Sequence, residues 1–71
     1  MKTDNHLKKM IREIKEEEKN LARIQRNVTY YENDTDNPMS ADMLRNALED
    51  EQKAQQRISG LYKKKFEYEY I

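Results

Sequence analysis

The chain reads as all-α, a two-helix antiparallel hairpin of coiled-coil character that is expected to dimerise into a four-helix bundle. Three observations predict it. A single Pro and a single Gly in 71 residues leave little to interrupt long helices. Apolar residues recur in alternating steps of three and four over several turns, the spacing of one face of a helix rather than of a strand. One cluster of Asn, Asp and Pro, residues 32–38, divides the pattern into two halves of similar length.

The first half carries the clearer pattern. Leu7, Ile14, Leu21 and Val28 occupy position a of a heptad, and Met10, Ile24 and Tyr31 occupy position d. Glu17 is the charged exception at d. Four heptads in one register predict a helix over about residues 4–32.

The break, placed at residues 33–37, supplies turn chemistry and the start of the second helix together. Asn and Asp side chains bond the backbone locally, and Pro cannot donate to a helical ladder. Asn37 before Pro38 fits an N-cap followed by Pro at the first helical position, with Ser40 as an alternative cap. Asp42 then sits where it complements the helix dipole. The second helix is predicted over about residues 38–65. Leu44, Ala47, Ala54, Ile58, Leu61 and Tyr68 fall at its a and d positions, while Glu51 and Lys65 fill two further a positions. Gly60 costs about 1 kcal/mol relative to Ala in a helix interior. The preferred reading carries the helix through it; termination at Gly60 is the alternative. Residues 66–71 alternate apolar and acidic with a period of two and read as an aromatic tail.

Two helices joined by so short a turn lie antiparallel. That folding sets Glu17 near Ala54 and Arg57, and Leu21 near Glu51. Apolar residues also flank the seam, namely Ile11 in the first helix and Leu48 and Tyr62 in the second. A two-helix contact needs only a narrow stripe, so the extra width calls for further helices. Charge is polarised along the chain. Residues 1–29 carry eight basic against five acidic side chains, residues 30–51 one against seven, and residues 52–71 five against two. The hairpin therefore has an acidic turn end and a basic terminal end. Two copies placed head-to-tail match opposite ends, which makes a twofold antiparallel homodimer the expected assembly.

Composition excludes several classes. There is no cysteine, hence no disulfide framework and no thiolate metal site. Net charge is zero, which removes bulk attraction to nucleic acid or an anionic membrane. No stretch has the length and apolarity of a membrane span, and the N-terminal residues lack the apolar core of a signal peptide. The two glycosylation sequons, at Asn27 and Asn33, are then read as chance, and a cytoplasmic protein of a bacterial or host cell is expected. His6 is the lone histidine. Glu16, Glu17 and Glu18 point around the helix rather than pairing. The acidic turn fails the calcium-loop pattern, with no Gly at the bend and Arg45 where a bidentate Glu belongs. No phosphate loop, zinc motif or nucleophile elbow occurs. No enzyme activity, cofactor, metal or small-molecule substrate is expected.

The functional expectation is a small adaptor or inhibitor that binds another protein through helical surfaces, regulating or antagonising a host or cellular machine. The packing and oligomer surface is assigned to Leu7, Met10, Ile11, Ile14, Leu21, Ile24, Val28, Tyr31, Leu44, Leu48, Ile58, Leu61 and Tyr62. Candidate partner contacts are Lys63, Lys64, Lys65, Phe66, Tyr68 and Tyr70 at the terminal end, and Asp34 and Asp36 in the turn. Interleaved lysines and aromatics can also hold single-stranded nucleic acid, a disfavoured alternative because Glu67 and Glu69 repel phosphates. A structural assembly module is the other alternative.

Overall fold

A computed structural model describes residues 5–70; the expected helix start at residue 4 and the last residue of the tail, Ile71, lie outside the described residues. Two long helices, α1 (Asn5–Asn33) and α2 (Ser40–Tyr70), pack along each other, and there is no strand among the described residues. Contacts that span most of the chain fix the antiparallel sense. Arg57 Nε donates to Glu17 Oε2 at 3.1 Å, as the folding-back of the two stripes predicts. Farther toward the chain ends, the rings of His6 and Tyr68 meet edge to face, with centroids 4.9 Å apart.

The turn is built by its short polar side chains. Asp34 N–H donates to the Tyr30 carbonyl at 3.1 Å, which carries the α1 ladder one residue beyond the helix. Asn37 Oδ1 then accepts the Met39 N–H at 2.9 Å. That is the bond of an N-cap to the second helical residue, with Pro38 between them at the first. Regular α2 geometry follows from Ser40, one or two residues later, as helix ends commonly do. Ser40 has a different task. It is buried, and its hydroxyl donates to Asp34 Oδ2 at 2.8 Å, tying the start of α2 to the end of α1. No described residue has positive φ, so the reversal is made without a left-handed residue.

The seam follows the heptads. Ile14, Ile24, Val28, Ala47 and Ala54 are buried, and Leu21, Tyr31 and Leu44 pack against them. Leu7, Met10, Ile58 and Leu61 are half-buried on the same line, as are the charged seam residues Glu17, Glu51 and Lys65. Ala54 is 0% exposed. With only a methyl group there, the two backbones approach closely, and a larger side chain has no room. No large side chain is fully enclosed.

The end of α2 differs from expectation. The helix does not stop near residue 65; it passes Gly60 and runs through the aromatic tail to Tyr70. The period-two alternation of the tail is overridden by pairs one turn apart. Lys65 bonds Glu69, and the Phe66 and Tyr70 rings meet at a tilt of 35° with centroids 4.6 Å apart. Both are four-residue spacings that stabilise a helix.

Two substitutions test this packing. A Cβ at Gly60 meets nothing within 4 Å, so Gly60→Ala should raise stability by about 0.5–1 kcal/mol through helix propensity and unfolded-state entropy alone. Ala54→Leu should lower it by about 1–3 kcal/mol through overpacking. Urea unfolding followed by helical circular dichroism measures both; loss of stability in the Gly60 variant would contradict an unhindered helical glycine.

Candidate functional site

The surface that a partner meets is set by what the seam leaves outside it. The flanking residues Ile11, Leu48 and Tyr62 share one heptad position, the one that faces its counterpart across an antiparallel pair, so all three lie on one broad side of the hairpin. Ile11 is half-buried. Leu48 is 45% exposed and Tyr62 47%, and Phe66, one heptad position farther round, is 63% exposed. The Tyr62 hydroxyl reaches across this side to donate to Glu18 Oε2 at 3.0 Å. The opposite side has a polar groove over Ile24 lined by Asn20, Asn27, Asp50, Lys53 and Arg57, and nearer the chain ends it opens onto Met10 and Leu61 between Glu13 and Lys64.

The sequence-assigned contacts fall at two distant ends of a rod whose Cα trace measures 58 × 16 × 11 Å. At the terminal end Lys63 and Lys64 are exposed on the last turns of α2. Lys65 is half-buried and bonded to Glu69, so it is not an open cation. Phe66 and Tyr70 present their rings outward, whereas Tyr68 turns onto His6. At the turn end Asp34 is half-buried and accepts the Ser40 hydroxyl, which gives it a structural use. Asp36 is exposed. The two groups of candidates are thus not brought together, and no single pocket unites them.

Sequence reading missed a third group. Tyr30, Met39 and Met43 are all exposed at the turn end, and the Tyr30 ring stands edge to face against Tyr31, with centroids 5.3 Å apart. None lies on a seam position. The one signal that could have found them is a heptad count that places Tyr30 and Met43 on the polar side, where exposed apolar groups stand out.

The electrostatics perturb one group. The Tyr62 phenol is held above its ordinary value of 10.0, first because its hydroxyl donates to the Glu18 carboxylate and the neutral form is favoured. Slight desolvation and the repulsion of a phenolate by Glu18 act in the same direction, opposed by Lys65. Among the described residues no three His, Asp or Glu side chains gather in a way that could hold a metal ion. No described helix is long and apolar enough to cross a membrane. No protein family, curated protein or solved structure matches this chain.

The Tyr62–Glu18 bond has a pH signature. A raised folded value means that its stabilisation is fully present below about pH 10 and is lost as pH rises through the folded value. In an alkaline titration followed by phenolate absorbance, the contribution that vanishes in Tyr62→Phe should be late relative to an ordinary tyrosine, and Glu18→Ala should bring it earlier. A Tyr62 signal unmoved by Glu18→Ala would contradict the bond.

Proposed function

We propose that this chain is a small non-enzymatic protein-binding module, an adaptor or inhibitor that acts as an antiparallel homodimer in the cytoplasm of a bacterial or host cell and regulates or antagonises another protein. One observation carries the reading. The hairpin leaves a line of apolar seam side chains only half-buried, with outward Leu48, Tyr62 and Phe66 beside it. Apolar surface in this arrangement is what helix-on-helix recognition uses. The charged seam residues Glu17, Glu51 and Lys65 favour specificity of pairing over strength. The polarised ends supply orientation.

With one copy covering Leu48, Tyr62 and Phe66, the terminal end remains for a second protein. Tyr70, 73% exposed, offers ring area that is cheap to order, on the same last turns of α2 as exposed Lys64. Glu67 and Glu69 in the same turns, with Glu69 bonded to Lys65, speak for a protein surface there rather than for a phosphate backbone.

Affinity isolation from nuclease-treated cells, with wild type and a Tyr70→Ala variant side by side, tests the reading. Wild type should retain a stoichiometric protein partner that the variant loses at unchanged helicity. Recovery of the chain alone, or of a partner that nuclease removes, would overturn it.

A further inference from the structure

A second stripe runs down α2, outside the seam that holds the hairpin together. Leu48, Gln52, Gln55, Ser59, Tyr62 and Phe66 are spaced by alternating steps of four and three, and every one is exposed. Steps of this kind form a continuous line along a helix and make a coiled-coil seam in their own right. The stripe is apolar at both ends and small or polar in the middle. It is also symmetric about Arg57. Leu48 lies nine residues before Arg57 and Phe66 nine after; Gln52 and Tyr62 are five away, and Gln55 and Ser59 two.

The charges that flank the stripe are opposite toward its two ends. Glu49 follows Leu48, and Lys63 follows Tyr62 on the same flank. Arg45 and Glu69 form a further opposite-sign couple, each twelve residues from Arg57. A helix with these properties is complementary to a copy of itself laid antiparallel across a twofold axis at Arg57. Arg57 is bonded to Glu17, midway along α1, so this axis passes through the middle of the hairpin and overlays both helices along their length.

We infer that the homodimer forms by antiparallel pairing of α2 with α2 of a second copy along this stripe, with the axis at the level of Arg57. The inference rests on the proposed self-association and names its face and register. Leu48 then meets Phe66 of the other copy at each end, Gln55 meets Ser59 at the centre, and Glu49 on one flank faces Lys63. The side used is the one that carries Ile11 on α1, so the same stacking sets α1 beside α1 of the second copy and completes four helices. The polar groove over Ile24 stays outward.

Exposed area supports a second copy as the occupant. The chain exposes 6011 Å² at 8.7 kDa, whereas a compact monomer of that mass exposes about 4,700 Å². The excess, on the order of 1,300 Å², exceeds the roughly 800 Å² that each partner contributes to a standard specific interface. A second copy laid along the rod therefore has surface enough for a standard interface.

Charge reversal tests face and register together, by sedimentation equilibrium of the full chain at low salt. Glu49→Lys and Lys63→Glu should each weaken self-association by about fivefold to tenfold, because each places like charges at two symmetric positions. The double variant, with Glu49→Lys and Lys63→Glu in one chain, should restore it. Asn27→Asp, on the opposite side, should change nothing. A wild-type dimer that the single reversals leave intact, or that the double variant fails to restore, would overturn this register while leaving self-association standing. A wild type that stays one chain would overturn the proposed homodimer itself.

Discussion

Two helices touch along one line, and the rest of this molecule follows from how little that line can enclose. The seam of α1 and α2 buries Ile14, Ile24, Val28, Ala47 and Ala54, and no large side chain completely. Ala54 and Ala47 allow close backbone approach but contribute little apolar area. Leu7, Leu21, Leu44, Ile58 and Leu61 remain half-buried because there is no third helix to cover them. The radius of gyration, 16.4 Å, compares with about 11 Å for a compact domain of this length. The hairpin is a rod whose apolar seam is still partly wet, a shape that favours completion by other helices.

Charge decides how such a rod can be completed. Glu17, Glu51 and Lys65 interrupt the seam at places where purely apolar residues would pack in several registers, and Glu17 answers Arg57 across the helices. A charged pair at the rim adds little strength but makes sliding costly. The same logic operates along the whole chain. An acidic turn end and a basic terminal end disfavour parallel association of two copies, and the opposite charges of Glu49 and Lys63 beside the outer stripe of α2 restrict the antiparallel one.

The parts legible in the sequence were those fixed by repetition. Four heptads in α1 left one helical face to choose, and Asn37-Pro38 marked the cap that the turn uses. The Glu17–Arg57 contact followed from folding one stripe onto the other. The end of α2 was not legible, because residues 66–70 satisfy two periods at once. Alternation suggested a strand-like tail, while Lys65–Glu69 and Phe66–Tyr70 sit one helical turn apart and prevailed. The bond of Asp34 to Ser40 was not legible, because it joins residues on either side of the turn. Tyr30, Met39 and Met43 lie off the seam positions that the apolar periodicity marks. The outer stripe of α2 was obscured by its polar middle, and it emerges once the helix is seen to continue unbroken to Phe66 and beyond.

The most direct measurement is the solution mass of the purified wild-type chain by light scattering, with helicity recorded on the same samples over a wide concentration range. A hairpin completed by a second copy predicts a mass of twice the 8.7 kDa chain, with helix content that falls only where the mass falls. A fully helical species with the mass of one chain throughout would mean that the half-buried seam is stable in water, and would contradict the central claim.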